Sequence, residues 1–362
     1  MLTIIIIKNF LNNKKKGNMK KILFALTILL SLADASFADG HLNEVNVFSA
    51  RHYDSDVQLY QKFTAKTGIK VNVVSGKDKA LQKRIVEEGK DSKADLYITA
   101  DAGRLGAFQA KGMFQRGASS KAIKAAVPSN FRSAYWTGIA KRARIIYYSP
   151  ERVSKGDLQG MTYEDLANSK WKGKIVIRKS NNVYNQSLVA SLIKNNGKKT
   201  TADWAKSVVA NMARDSKGND RAQILAVAAG EADLAVANTY YLALMLSGQK
   251  GVEQQAAAKR VKPFFPNQDG RGTHMNISGG GILKYAPNKA NAIKLLEFLI
   301  TKEAQEHIVN NTFEYPIIEG VKPHKLIAEM GLGFKEDLTT KVSSYGKKQA
   351  DALEIMLAAG WK

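Results

Sequence analysis

Residues 44–75 read EVNVFSARHYDSDVQLYQKFTAKTGIKVNVVS, and this stretch decides the fold class. Valines that alternate with other residues predict one strand over residues 44–49 and a second strand over residues 69–75. Between them, Asp54-Ser55-Asp56 supplies capping residues for a helix, and Gly68 is typical of a helix end. Because strands and helices continue to alternate beyond this stretch, we predict an α/β fold with a mostly parallel sheet flanked by helices.

The alternation restarts after Gly138, and a chain of 362 residues is long enough for two lobes. The triple glycine at 279–281 is expected to form a tight backbone turn. We therefore predict two lobes, with hinge segments that cross between them more than once. The expected boundaries are residues 39–138 with about 272–316 for lobe 1, and residues 139–271 with about 317–362 for lobe 2.

The composition is that of a globular and strongly basic protein. Hydrophobic residues make up 44% and charged residues 24%, which excludes a largely disordered chain. Cysteine is absent, which excludes disulfides, thiolate zinc sites, iron–sulfur clusters and cysteine nucleophiles. The formal net charge of +23 indicates an anionic ligand, partner or surface.

Residues 1–38 have the pattern of an upstream extension followed by a cleavable signal peptide, with Met19 as the expected start. A basic pair precedes the apolar run at residues 22–33, and small residues in Ser36-Phe37-Ala38 precede the expected cleavage. The apolar run is shorter than the roughly 20 residues of a membrane-spanning helix. We therefore predict export to a bacterial periplasm.

Catalytic and nucleic-acid-binding motifs are missing from the sequence. It contains no P-loop, no dinucleotide-binding glycine pattern, no H-E-x-x-H motif and no G-x-S-x-G elbow. No paired carboxylates stand out as an acid–base set, and no basic stretch follows residue 38. We therefore expect a binding protein that is not an enzyme, has no organic cofactor and does not bind nucleic acid.

Four tyrosines follow predicted strands: Tyr53, Tyr184 and the adjacent Tyr240 and Tyr241. Ligands of open α/β sheets bind at the carboxyl ends of strands, so these side chains are expected to converge on one cleft. Phenolate is a hard anionic oxygen donor that suits Fe(III), and the charge of the metal would deprotonate the phenols. His52 would add a nitrogen donor or, alternatively, would lie at the rim of the site.

Five stretches carry a family resemblance: residues 49–53 (SARHY), 171–175 (WKGKI), 184–187 (YNQS), 238–241 (NTYY) and 271–279 (RGTHMNISG). Together they resemble the periplasmic ferric-iron-binding proteins of ABC importers, and the cyanobacterial branch in particular. The resemblance covers most of residues 44–315. It implies a type II periplasmic-binding-protein clamshell that closes on Fe(III), taken up as ferric iron or ferric chelates. It also implies delivery to an inner-membrane ABC permease by a monomer. The metal ligands that it implies are His52, Tyr53, Tyr184, Tyr240 and Tyr241.

The sequence departs from relatives that carry an arginine one turn after the tyrosine pair, because Leu244 and Met245 occupy that stretch. Arg51 and Arg144 are therefore candidates to balance the charge of the site. Two alternative functions stay open. One is a binding protein for a small anion such as phosphate, which would use Arg51, Arg271 and helix N-termini. The other is a basic protein that associates with a membrane surface or with nucleic acid.

Overall fold

The computed structural model describes residues 43–51 and 53–362. The predicted extension and signal peptide, and the candidate ligand His52, lie outside the described residues. In the part that is described, no helix is both long enough and apolar enough to cross a membrane.

Strands and helices alternate along the described chain. The strands are β1 (Glu44–Ser49), β2 (Lys70–Ser75), β3 (Leu96–Thr99), β4 (Trp136–Tyr148), β5 (Ile175–Val176), β6 (Leu234–Asn238), β7 (Lys262–Phe264), β8 (Met275–Ile282) and β9 (Tyr315–Pro316). The helices are α1 (Ser55–Thr67), α2 (Asp78–Glu88), α3 (Ala102–Ala110), α4 (Lys121–Ala126), α5 (Lys155–Leu158), α6 (Val183–Asn196), α7 (Lys198–Ala210), α8 (Asp220–Ala228), α9 (Thr239–Leu246), α10 (Val252–Lys259), α11 (Lys289–Leu299), α12 (Lys302–Thr312), α13 (Lys325–Met330) and α14 (Tyr345–Ala358).

The strands form one continuous sheet in the order β2-β1-β3-β8-β4-β6-β5, with β7 and β9 paired to β4. Strand β1 is parallel to β2 and β3, and β5 is parallel to β6. By contrast, β8 is antiparallel to β3 and to β4, and β4 is antiparallel to β6. The α/β class is confirmed, but the sheet is mixed, because the middle strands β8 and β4 run against their neighbours.

Strand β4 connects the two ends of this sheet. Its first residues, up to Ala143, pair with β8, and its last residues, from Arg144, pair with β6. Tyr147 and Tyr148 are buried in this strand and belong to the core, as their apolar surroundings in the sequence predict. The division of the chain into two lobes along the predicted boundaries stays a prediction.

The triple glycine lies inside β8 and does not form the tight turn that the sequence suggested. A Cβ atom on Gly279 would lie 2.6 Å from the carbonyl oxygen of Thr137. A Cβ atom on Gly281 would lie 2.7 Å from the ring of Phe114. These glycines are therefore required because neighbouring atoms leave no room for a side chain, and not because they form a turn.

Candidate metal site

The candidate tyrosines follow three strands, but three of the four lie in helices. Tyr53 lies between β1 and α1, as predicted. Tyr184 is the second residue of α6, because the side chain of Asn182 accepts a hydrogen bond from the Tyr184 amide and so starts the helix early. Tyr240 and Tyr241 lie in the first turn of α9. These three residues therefore follow strands, as predicted, and they lie at the starts of the helices that come next.

These four tyrosines line one open cavity of about 680 Å³. The hydroxyl of Tyr240 lies 3.3 Å from the hydroxyl of Tyr184. The rings of Tyr240 and Tyr241 pack with their centroids 4.2 Å apart. Tyr53 lines the same cavity, although it follows β1, which is near the opposite end of the sheet from β5 and β6. The structure thus brings together the four tyrosines that the sequence singled out, although their role as metal ligands stays a prediction.

Burial controls the protonation state of these phenols. It raises the pKa of Tyr53, and the carboxylate of Glu314 raises it further. Burial also raises the pKa of Tyr240 and of Tyr241, and in both cases the neighbouring Tyr184 adds to the effect. The three phenols are therefore neutral at physiological pH in the ligand-free protein. A bound cation is needed to deprotonate them.

Other metal-binding groups are sparse around this cavity. Across residues 43–51 and 53–362, no three His, Asp or Glu side chains lie close enough together to hold a metal ion. Asp78 lines the cavity, but it already pairs with Arg104 and accepts a hydrogen bond from Thr99. The phenol oxygens are thus the principal candidate donors in the described part of the cavity.

Arg51 is buried behind Tyr53. Its guanidinium lies 4.5 Å from the centroid of the Tyr53 ring. The Nε atom is 3.0 Å from a carboxylate oxygen of Asp56, and Nη1 is 2.6 Å from one of Glu314. Its position next to a candidate ligand agrees with the predicted role in charge balance, which stays a prediction.

Arg144 is also buried, and it connects the two helices that carry tyrosines. Its Nη2 atom donates to Asn185 of α6 at 2.6 Å, and its Nη1 atom donates to Asn238, which precedes α9, at 3.0 Å. Nη1 also pairs with Asp220 at 2.9 Å. Arg144 does not line the cavity, and its predicted role in charge balance stays a prediction.

Sequence analysis missed Arg142, which lies next to Tyr184. Its guanidinium is 5.6 Å from the ring centroid of Tyr184. Its Nη1 atom is 3.2 Å from Glu314 and 3.1 Å from the hydroxyl of Ser278. The sequence contained a pattern that could have identified Arg142. Residues two apart in a strand share a face, and Arg142 precedes the candidate Arg144 by two positions in β4.

The rest of the cavity lining is predominantly basic. The acidic residues there are Asp54 and Asp78, and they are outnumbered by Arg51, Lys77, Arg104, Arg178, Arg221 and Lys250. Arg271, a candidate for anion binding in the sequence, is not part of this lining. Its Nη2 atom is 2.8 Å from Glu164.

Comparisons with known proteins show which chains this one is similar to. Residues 91–329 match the model of a family described as bacterial extracellular solute-binding proteins. Iron uptake protein A1 of Synechocystis sp. is 47% identical over 333 residues, which cover 91% of each chain. The Fe(3+)-binding periplasmic protein of Serratia marcescens is 29% identical over 342 residues, 93% of this chain and 96% of its own.

Among solved structures, Trichodesmium FutA (IdiA) in complex with iron and citrate ligands is 50% identical. It superposes with a TM-score of 0.84 and covers 88% of this chain and 100% of its own. This likeness confirms the type II periplasmic-binding-protein fold that the resemblance implied. The chain belongs to the family of bacterial extracellular solute-binding proteins.

Proposed function

We propose that this protein captures Fe(III) between two lobes through tyrosine phenolates and delivers it to an inner-membrane ABC permease. The observation that carries the proposal is the convergence of four tyrosines on one cavity, with the hydroxyls of Tyr184 and Tyr240 3.3 Å apart. The iron-related names of the Synechocystis, Serratia and Trichodesmium relatives support it.

The charges of the site suit a trivalent cation. Three phenolates offset the charge of Fe(III), and a fourth leaves the site with one negative charge. The buried guanidiniums of Arg51 and Arg142 lie next to the rings of Tyr53 and Tyr184 and stabilise negative charge there, while Asp56 and Glu314 balance the charges of the two arginines themselves. The proposed ligands are His52, Tyr53, Tyr184, Tyr240 and Tyr241.

Capture would proceed in two steps. Iron first meets Tyr184, Tyr240 and Tyr241 on lobe 2, where two helices present them together. Closure of lobe 1 then brings Tyr53 and His52 to the ion, which buries it and slows its release. The permease binds the closed, loaded form, so that delivery depends on a shift between two conformations. This is binding and transport by a monomer, without catalysis.

The basic lining of the cavity favours iron that arrives as an anionic ferric chelate, since the excess of positive charge attracts such complexes.

We place the protein in the periplasm, as the signal-peptide pattern predicts. Its basic charge would hold it near the anionic surface of a membrane, and sedimentation with anionic vesicles at low and high salt tests this.

A visible absorption spectrum of the purified protein, with and without ferric citrate, tests the central proposal. Iron bound to phenolates absorbs visible light, so the loaded protein should be coloured. Tyr240→Phe and Tyr241→Phe should each bleach or shift the band. Tyr285→Phe is the matched control, because Tyr285 is exposed and does not line the cavity. A colourless wild-type protein that takes up no iron would contradict the proposal.

Binding of a small anion such as phosphate is a second candidate, which the six basic residues of the cavity lining favour. It predicts that radiolabelled phosphate binds without iron and that Arg178→Ala weakens this binding. It also predicts that Tyr240→Phe leaves phosphate binding unchanged. Phosphate binding by a protein that takes up no iron would replace the first proposal with this one.

A further inference from the structure

Four charged side chains form a buried chain of ion pairs next to the tyrosine cavity, and one of them, Arg51, also lines it. Asp56 pairs with Arg51, Arg51 pairs with Glu314, and Glu314 pairs with Arg142, at distances of 3.0, 2.6 and 3.2 Å. Each of the four side chains is at least nine-tenths buried. Glu314 is the only member of this chain that contacts both arginines, one through each carboxylate oxygen.

The two arginines lie against two different cavity tyrosines. Arg51 lies 4.5 Å from the ring centroid of Tyr53, and Arg142 lies 5.6 Å from that of Tyr184. Tyr53 follows β1, whereas Tyr184 belongs to α6, so the two rings come from distant parts of the sheet. Glu314 therefore links the two arginines that pack on these rings. The two candidate ligands themselves are far apart in the sequence and belong to different elements of the fold.

Few other contacts fix the orientation of these guanidiniums. Among the described residues, Nη2 of Arg51 and both Nε and Nη2 of Arg142 are buried and have no hydrogen-bond partner. The guanidinium of Arg142 thus depends on its bonds to Glu314 and Ser278, whereas that of Arg51 is held by Glu314 and Asp56 together. The hydroxyl of Ser278 reinforces the arrangement, because it donates to Glu314 at 2.9 Å and accepts from Arg142 at 3.1 Å.

We propose that Glu314 is a positioning residue, which holds the guanidiniums of Arg51 and Arg142 against Tyr53 and Tyr184 and so tunes the iron site without touching the ion. The inference rests on the proposed iron-binding function. A cation held over an aromatic ring is attracted to its electrons, and it stabilises negative charge on the phenolate oxygen. Loss of this support should raise the energy of the phenolate electrons. It should also leave the rings of Tyr53 and Tyr184 less firmly positioned, so that iron is released faster.

The variant Glu314→Gln separates positioning from charge. If Glu314 positions the arginines, the visible band of the iron-loaded variant moves to longer wavelength, because the phenolates lose their cations. Iron release to a competing chelator should then accelerate about tenfold, which corresponds to roughly 1.4 kcal/mol. If Glu314 acted only through its negative charge, its removal would leave the arginines in place and move the band to shorter wavelength. That result, or an unchanged band, would overturn the inference.

Ser278→Ala provides a second test that keeps every charge. Positioning predicts a smaller shift to longer wavelength, whereas a purely electrostatic role predicts no shift. Glu164→Gln is the matched control, because Glu164 pairs with Arg271 outside the cavity and should leave the band unchanged. Circular dichroism of each variant verifies folding. A wild-type protein without colour contradicts the proposed function, whereas a coloured wild type with an unshifted Glu314→Gln band contradicts this inference alone.

Discussion

The carboxylate of Asp101 accepts a hydrogen bond from the hydroxyl of Ser187, which lies 2.9 and 3.0 Å from its two oxygens. Asp101 follows β3 and caps α3, while Ser187 lies on α6, three residues after Tyr184. Both side chains are fully buried. Residues three apart share a helix face, so this contact fixes the part of α6 that carries a candidate ligand.

Replacement of Ser187 by alanine should lower the free energy of unfolding by about 1–3 kcal/mol, because the buried carboxylate of Asp101 loses a donor. It should also speed iron release, since α6 is held less firmly. Urea unfolding and chelator competition measure the two effects. Ser191→Ala is the control on the same helix, as its hydroxyl bonds only the carbonyl of Leu188. Equal effects of the two substitutions on iron release would contradict the role of the Asp101 contact.

Iron affinity should increase with pH. Burial raises the pKa of Tyr53, Tyr240 and Tyr241, so these phenols carry protons until the metal displaces them. Each phenol that binds iron therefore releases one proton, and acid opposes binding. Chelator competition at several pH values measures the slope, which Tyr241→Phe should reduce by about one proton. A slope that this substitution leaves unchanged would show that Tyr241 is not deprotonated on binding.

Acid should destabilise the fold through His274. Burial, and then the positive charges of Arg144 and Arg271, lower the pKa of His274 to about 3. In the unfolded chain His274 takes up a proton near pH ~6.5, whereas in the folded protein it stays neutral until near pH 3. The stability that is present above pH ~6.5 is therefore lost as the pH falls through this range.

The expected loss is about 1.4 kcal/mol for each pH unit within that window. Urea unfolding at several pH values measures it, and His274→Gln should flatten the slope between about pH 6 and 4. The substitution also removes the ring packed on Tyr345, so the informative quantity is the slope and not the absolute stability. An unchanged slope would mean that other groups cause the acid sensitivity.

The close packing around β8 predicts a cost for any side chain there. Gly281→Ala should lower the free energy of unfolding by about 1–3 kcal/mol, because its methyl group would collide with Phe114. In Gly156→Ala the nearest atom to the new methyl group is the hydroxyl of Ser154, at 3.6 Å, which is ordinary contact. Urea unfolding compares the two, and equal losses would contradict the packing argument.

Local patterns predicted much of this molecule, and the failures have a common cause. Valine alternation located β1 and β2, and the four tyrosines were expected in one cleft because strand ends meet at one edge. The pairing of Arg51 with Glu314 joins residues 263 positions apart, and no local pattern encodes such a contact. The same limit explains the mixed sheet, since the direction of β8 depends on neighbours that lie far away in the chain.

The position of β8 also constrains the order of assembly during synthesis. Strands β1 to β3 leave the ribosome early, but β8, which lies between β3 and β4 in the sheet, begins only at Met275. A nascent chain that ends before this residue has an unpaired edge on β3 and cannot complete the sheet. Products that terminate before Met275 should therefore aggregate through these edges, and none of them should fold as an independent half.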